Sequence, residues 1–585
     1  MKIEDLNPYV LEYLKKRGFD SPEAIRRYLS FGEDDLRRVS DLCGGEQLLA
    51  RLEEAVRRQQ AVVVYGDYDA DGVMAVFILY SGLDRLMPGR VRCFINNRFE
   101  DGYTITPESM DKMLEACPET EVILTCDNGI SAAAAIDYVM DRGVSVLVTD
   151  HHGQAEAIRS DCPVVDEKSF AQRQADDAAG ISPELFCGAE LARRVITELY
   201  ERLGISEENR DCLDDLYAYS GFATITDSVP MTAANHYVAR RGLEKIRQGS
   251  GVWGLLNEMC GQQRGSVDGD TVGYKYGPMV NASSRVTGSA KSALLVFVQF
   301  YRGRIDRCRA AIEVLLGLND ERRRMCQEDD ELAFRLAEAA GAGDRPFILL
   351  ADPGFREGIN GLTAAHLVER YHVPAAVLSP TSADAAVFKG SARSVEGFDL
   401  FAALDSCRDY VQSGGHPMAA GLSVALQEVE KLRSAMEEQA LAALGPDWKA
   451  RSEIAEAEGR HPADFVFTPD ELSVKIVEEL GEIGRLLMPF GPGLEPVRVA
   501  LRIGQPRLFA MRGRDGTDRH AKFLSSQRSR DRLEVSAIWW NRLEEARQLE
   551  EASGETCVFV GDLQFNSYRD RSIQMIVSEA GKEKV

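Results

Sequence analysis

The chain has 585 residues, 44% apolar and 28% charged, a composition that excludes a disordered or collagen-like protein. At about 100–200 residues per domain, the length predicts roughly three to five domains or subdomains. Lys and Arg number 69 against 93 Asp and Glu, a net charge of −24 that by itself argues against a polyanionic partner. The sum hides local structure, because carboxylates can hold cations and a basic groove can sit in an acidic body. No apolar run approaches the roughly 18 residues a membrane span needs. The N-terminus, Met1-Lys2-Ile3-Glu4-Asp5-Leu6, lacks a signal-peptide pattern, so a cytoplasmic protein with no membrane partner is expected. The 12 cysteines contain no CxxC pair and read as reduced, buried thiols.

Residues 1–60 read as an N-terminal helical cap, with Tyr9, Leu11, Leu14 and Ile25, Tyr28, Leu29 at helical spacing. From residue 61 the texture changes. Ala61–Tyr65, Val91–Ile95, Glu121–Thr125 and Val144–Val148 are short β-branched runs, read as buried parallel strands. Helical segments separate them, so a mostly parallel α/β domain over 61–288 is predicted. Residues 289–342 read as a long connecting helix, 343–445 as a second α/β domain and 446–495 as a helical linker. Residues 496–585 alternate more like β structure.

Ligands in parallel sheets bind outside the carboxyl ends of the strands. Three of the four strands end in acidic or His-rich loops. The first is Asp67-Tyr68-Asp69-Ala70-Asp71-Gly72, where a spacing of two puts the acids on one side of an extended segment. An N-cap and turn is the plain structural alternative, and an EF-hand lacks its downstream Glu. The others are Asp127-Asn128-Gly129 and Asp150-His151-His152; Asp227 follows a further apolar run. Alone, Asn-Gly is a turn signal and a His pair can be surface. Together, carboxylates and a His converging on one crevice suit Mn²⁺ or Mg²⁺ rather than a Cys-type zinc site. Two ions about 3.5–4 Å apart would share so many ligands, an arrangement suited to phosphoester hydrolysis.

This set, with Thr226-Asp227-Ser228-Val229-Pro230, resembles the DHH phosphoesterase superfamily. Gly414-Gly415-His416-Pro417-Met418-Ala419-Ala420-Gly421 is similar to the glycine-rich motif of the companion DHHA1 domain. Asn97-Arg98-Phe99-Glu100-Asp101-Gly102-Tyr103, Lys389-Gly390-Ser391-Ala392-Arg393-Ser394 and Pro489-Phe490-Gly491-Pro492-Gly493 resemble its single-strand-specific DNA exonuclease branch. The resemblance implies two α/β lobes joined by a long helix, with a metal-lined cleft between them, and a C-terminal OB-like β-barrel. It implies a two-ion, Mn²⁺ or Mg²⁺, 5′→3′ exonuclease that releases 5′-mononucleotides in DNA repair and recombination.

Carried over residue by residue, Asp69, Asp71, Asp127, His151 and Asp227 match the metal-ligand positions, with Asp127 the bridge. Asp150 and His152 match positions that support catalysis, and Asp67 is expected to orient its loop. Arg98, Arg285, Ser391 and Arg393 stand where the family holds the phosphates of the DNA end, a task that suits a bidentate guanidinium. His416 stands where backbone approaches the nucleotide. The resemblance also implies a monomer acting on single-stranded DNA with a free 5′ end, with single-strand-binding protein and a RecQ-type helicase as associates.

Four places depart from the family pattern, one of them Gly493-Leu494-Glu495-Pro496, which lacks the usual Asn-Pro. Tyr65 replaces a frequent metal-binding His, Ser284 lies in Asn281-Ala282-Ser283-Ser284-Arg285 where Asn-Ala-Ala-Gly-Arg is usual, and Arg356 replaces a His. Between Arg498 and Arg532 there are ten Lys and Arg against three Asp and Glu, a basic patch near Trp539, Trp540, Phe565 and Tyr568. Basic groove plus aromatics is the single-strand-binding recipe of OB-folds. The blander alternative is that the Trp pair is core, the two alternating to opposite faces of a strand. A small-substrate DHH phosphodiesterase (oligoribonucleotide, phosphoadenosine phosphate or cyclic dinucleotide) and an inactive single-strand-binding scaffold are the competing readings. The basic segment argues against the first and the intact acid/His set against the second.

Overall fold

The computed structural model describes residues 6–154, 156–263, 265–381, 384–449, 463–513, 516–551, 556–566 and 571–582. The chain forms two compact units. One comprises Glu33–Val229 and Ala234–Glu456; the other comprises Met1–Gly32, Pro230–Ala233 and Ala457–Val585.

The larger unit opens with a parallel sheet of β1 (Val62–Gly66), β2 (Val91–Ile95), β3 (Val122–Cys126), β4 (Ser145–Thr149) and β5 (Val164–Val165). Their spatial order is β2-β1-β3-β4-β5, and every pair is parallel. β1 and β3 are buried along their whole length, which is why their sequences are continuously apolar rather than alternating. Side chains still alternate by face. Val62, Val64, Leu124 and Leu147 enter one core with the helices Ala70–Leu86 and Gly188–Arg202; Val63, Tyr65, Ile123 and Val146 enter the core on the other face.

The predicted connecting helix is two helices, Lys291–Tyr301 and Ile305–Ala339. The break falls at Gly303, whose φ of 68° leaves the helical region at little cost to glycine. The second helix runs 35 residues and inserts Ala333 and Ala337 into the core of the second lobe. That lobe is a mixed sheet of β6 (Ile348–Ala351), β7 (Ala375–Pro380), β8 (Val387–Arg393), β9 (Val411–His416) and β10 (Ala419–Ala425), ordered β6-β7-β8-β10-β9. Only β6 and β7 pair in parallel.

The smaller unit is a seven-stranded sheet of β11 (Phe465–Phe467), β12 (Val499–Gly504), β13 (Arg507–Arg512), β14 (Asp518–Arg528), β15 (Glu534–Trp539), β16 (Thr556–Asn566) and β17 (Ser572–Lys582), ordered β11-β12-β16-β17-β15-β14-β13. It starts well before residue 496, because β11 pairs with β12 from Phe465↔Val499. It also takes in the first helices of the chain. Tyr9 packs edge-on against Phe465 with centroids 5.2 Å apart, and Arg17 pairs with Asp464 at 2.7 Å. The expected cap of residues 1–60 is therefore divided. The helix Gly45–Arg58 buries Leu48, Leu49 and Leu52 in the larger unit instead. None of the 12 cysteines is in a disulfide; eight are buried, and Cys43, Cys93, Cys212 and Cys260 are half-buried rather than buried as expected.

Candidate active site

β1 delivers the first acidic loop. Asp67 is buried, and the chain turns into the helix Ala70–Leu86 at Asp69, whose Oδ1 accepts the Gly72 N–H at 3.0 Å. Asp69 is thus the helix N-cap and Asp71 lies in the first turn, with Asp67 before the helix, so the three acids do not share one extended run. Asp71 is held from the far side: its carboxylate accepts the N–H groups of Gly188 at 2.7 Å and Ala189 at 2.8 Å. These open the helix Gly188–Arg202, where the helix dipole favours an anion.

Asp127 follows β3 in the left-handed conformation, φ 53°, which Asp tolerates better than most residues. After β4, Asp150 is fully occupied as a scaffold. One oxygen accepts the Ile130 N–H at 2.9 Å; the other accepts the His151 N–H at 2.7 Å and lies 2.8 Å from His152 Nδ1. Burial alone would raise its carboxyl, but His152, His151 and the Ile130 N–H outweigh it and hold Asp150 below the ordinary value. His152 is fixed at its other nitrogen by the Tyr103 hydroxyl, 3.0 Å away. Asp227 caps the helix Tyr217–Thr226.

These pieces meet. His151 Nε2 lies 3.0 Å from Asp127 Oδ1, 3.6 Å from Asp71 Oδ2 and 3.8 Å from Asp227 Oδ2. Three ligand groups overlap, each within 4.8 Å: Asp127-His151-His152, Asp71-His151-Asp227 and Asp67-Asp69-Asp127. His151 and Asp127 are each shared by two of them. Asp67 joins the acids that could hold a cation, where the sequence predicted a loop-orienting role.

The donor set fits divalent ions. Asp67 Oδ1, Asp127 Oδ1 and His151 Nε2 are buried without a hydrogen-bond partner, a costly state unless a cation takes their lone pairs. Burial, then the neighbouring acids, raises the carboxyls of Asp67, Asp127 and Asp227 well above the carboxylate range, and Asp71 to about 6. Burial and the charge of His152 hold His151 down at about 3, so its imidazole is a neutral donor.

The predicted phosphate-holding residues lie in the same unit. Asn97 Oδ1 accepts the Phe99 N–H at 2.9 Å, and this turn sets the Arg98 guanidinium 5.1 Å from the Tyr68 ring centroid. Arg285 lies in the helix Gly277–Thr287, against the second lobe: a Cβ on Gly358 would lie 1.9 Å from the Arg285 carbonyl oxygen. On β8 the alternation puts Lys389, Ser391 and Arg393 on one half-buried face. Arg285 is depressed to about 9 by burial and then by Arg98, Arg393 and Arg322; Arg393 is lowered by burial and Arg98. Guanidiniums crowded together repel one another, and a bound anion would relieve that repulsion. His416 ends β9, and desolvation, His152 and Lys168 lower its pKa.

Three of the departures resolve simply. Tyr65 packs in the core with Val63 and Ile123, its hydroxyl bonded to Asn96 and, at 2.9 Å, to Ser109. Ser284 is fully buried in its helix and leaves Arg285 in place. Arg356 is tied to Asp329 at 2.6 Å and to Glu328. Sequence reasoning missed Tyr103, Lys168 and Arg322. Tyr103 stood inside a quoted motif; the other two carried no motif signal.

In the smaller unit, one sheet face carries Phe509, Lys522 and His520, by the register Phe509↔Lys522 and Met511↔His520. Trp540 is 47% exposed with its ring 4.8 Å from His520; Phe509 is 40% exposed, and Trp539 is half-buried. The exposed aromatics therefore include Phe509, which was not predicted. Phe565 is half-buried, and Tyr568 lies outside the described residues.

Comparison with known proteins agrees with this architecture. The DHH family, N-terminal domain, matches residues 61–218, the DHHA1 domain 344–442 and the RecJ OB domain 463–579. These define a DHH-type phosphoesterase fold with an appended OB domain. A protein of Dickeya dadantii named single-stranded-DNA-specific exonuclease RecJ is 31% identical over 77% of this chain and 78% of its own length. The chain belongs to the RecJ family. The Bacillus subtilis protein of that name is 29% identical over 83% of this chain, which spans only 57% of that relative. The crystal structure of RecJ with Mn²⁺ from Thermus thermophilus has the same fold, with TM-score 0.73 and 24% identity over 99% of this chain and 77% of the other. A structure of exonuclease RecJ bound to manganese is 27% identical, with TM-score 0.58 over 70% of this chain and 97% of that one. No helix among the described residues is long and apolar enough to cross a membrane.

Proposed function

We propose that the protein is a single-strand-specific 5′→3′ DNA exonuclease that releases 5′-mononucleotides by two-metal-ion phosphodiester hydrolysis. The observation that carries this is the overlap of ligand groups sharing Asp127 and His151, in one unit with Arg98, Arg285 and Arg393, whose charges act on one another: Arg98 and Arg393 lower Arg285, and Arg98 lowers Arg393. Asp67, Asp69, Asp71, Asp127, His151 and Asp227 would hold two Mn²⁺ or Mg²⁺ ions. Such ions supply Lewis-acid charge for the phosphoryl group and an activated water.

The chain's own residues do the rest. Asp150 orients His151 and, with Tyr103, fixes the His152 ring beside the cluster. Arg98, Arg285, Ser391 and Arg393 grip the 5′ phosphate, which sets the polarity, and His416 meets the nucleotide from the second lobe. The exposed Phe509 and Trp540, with Lys522, give the smaller unit a stacking surface for single strands. A cytoplasmic monomer, working beside a single-strand-binding protein and a RecQ-type helicase, goes with this reading on the strength of family alone.

The test is product analysis with Mn²⁺ on 5′- and 3′-labelled single strands of about fifty nucleotides, beside a duplex and a dinucleotide. Immediate release of the 5′ label as mononucleotide, with duplex spared, is expected. Cleavage confined to the dinucleotide would overturn the proposal in favour of a small-substrate phosphodiesterase.

A further inference from the structure

Lys168 has no place in the acid/His motifs, yet the fold brings it to them. β5 pairs in parallel with β4 at Thr149↔Val165, and the Asp150 N–H donates to the Val165 carbonyl at 3.1 Å. The residues after β5 therefore emerge at the same sheet end as Asp150-His151-His152. Their backbone is clamped. Asp166 Oδ1 accepts the Lys168 N–H at 2.6 Å, and Glu167 accepts the N–H groups of Glu184 at 3.0 Å and Leu185 at 2.6 Å. Asp166 and Glu167 are buried while Lys168 is half-exposed, so the turn hides two acids and displays the lysine. Among the described residues the Lys168 ammonium makes no hydrogen bond and no ion pair. Its charge is nevertheless felt at His151, Asp166 and Asp227 in the first lobe and at His416 in the second.

Charge balance gives that ammonium a task. The five clustered aspartates outweigh two divalent ions by one charge, and a bound phosphodiester adds another. His152 is already matched to Asp150. Lys168 is the cation left over on this side of the site.

We propose that Lys168 is a further catalytic residue: its ammonium contacts a non-bridging oxygen of the scissile phosphodiester and stabilises the charge that builds there. This rests on the phosphodiesterase reading above. No proton moves; the lysine acts as a fixed positive charge, worth most where water is excluded.

The test uses the full-length protein with Lys168→Met and Lys168→Arg, on a 5′-phosphorylated oligothymidylate of about twenty nucleotides. Lys168→Met should lower kcat about 100-fold, with Lys168→Arg recovering part of it. The salt slope of oligothymidylate binding, measured in Ca²⁺, should fall by about 0.7 for the one lost phosphate contact. Melting temperature and Mn²⁺ affinity should not drop. A Lys168→Met enzyme with wild-type kcat and an unchanged slope would overturn the assignment. So would joint loss of stability and Mn²⁺ affinity without rescue by Arg, the mark of a structural lysine. If the wild-type protein cut no single strand, the phosphodiesterase reading itself would fail, whatever Lys168 does.

Discussion

Gly188 and Asp127 touch where no side chain fits between them: a Cβ on Gly188 would lie 2.6 Å from Asp127 Cβ and 3.0 Å from its Cα. The same glycine donates its N–H to Asp71. One residue, outside every acidic motif, therefore spaces two of the clustered carboxylates. Gly188→Ala must push on the Asp127 backbone, so its cost falls on the site rather than on the helix. Mn²⁺ affinity and activity should fall about 10- to 100-fold, as when a residue supporting a metal ligand is disturbed. Mn²⁺ at 100 times the wild-type Kd should stabilise the wild type by about 2.7 kcal/mol, and the variant by clearly less. Thermal denaturation with Mn²⁺ and with EDTA reads both; an equal Mn²⁺ shift in the two proteins would refute the spacing role.

Arg285 is pressed below its ordinary pKa by burial and three neighbouring arginines, so in the free protein it stores repulsion that an anion relieves. Arg285→Met and Arg98→Ala should each reduce the preference for a 5′-phosphorylated over a 5′-hydroxyl end by about 10- to 100-fold, the worth of a charged hydrogen bond. Inorganic phosphate should raise the wild-type melting temperature more than that of either variant. Wild type and variants cutting both ends equally well would dissolve the end-grip assignment.

In the smaller unit, Phe509→Ala and Trp540→Ala should weaken binding of long single strands by about 1–3 kcal/mol each, the usual value of one base-stacking contact. Dinucleotide turnover should be untouched, since those rings belong to the OB domain. Affinity for oligothymidylates of increasing length separates the two effects. Point variants are the right probe, because truncation at residue 496 would strip β12 from β11 and unmake the sheet.

Glu190 is fully buried and bridges Arg193 and Arg194, each at 2.8 Å. Burial would raise its carboxyl, but the two arginines outweigh that and hold it below the ordinary 4.5. A depressed folded value means the stability it contributes is complete above pH 4.5 and lost as the pH falls below it. At pH 7, Glu190→Gln should cost about 3–5 kcal/mol, because two buried guanidiniums lose the carboxylate they share and only Arg194 keeps a close second one, Glu184 at 2.5 Å. The gap between variant and wild type should close as the pH drops under 4.5. Urea midpoints across that range measure it, and a constant gap would show that packing, not charge, is at stake.

Strands, lobes and acidic loops were legible in the sequence because their signals are local. Val62–Tyr65 is continuously apolar because it is covered on both faces, and Asp127-Asn128 can turn because short polar side chains tolerate a left-handed backbone. The family motifs then implied which loops share a crevice. Tertiary structure alone decided the rest. It enrolled Asp67 beside Asp69 and Asp127, packed Tyr65 with Val63 and Ile123, and tied Arg356 to Asp329. It joined the first helix, Pro8–Lys16 with its cap Arg17, to β11 and the Asp464 before it, some 450 residues away, through Tyr9–Phe465 and Arg17–Asp464. It set Gly188 against Asp127 and brought the turn after β5, which carries Lys168, to the same sheet end as Asp150. The physical reason is common to all of these. A side chain's partners across the fold depend on how helices and sheets pack, and that packing leaves no period or spacing near the residue itself for a sequence to display.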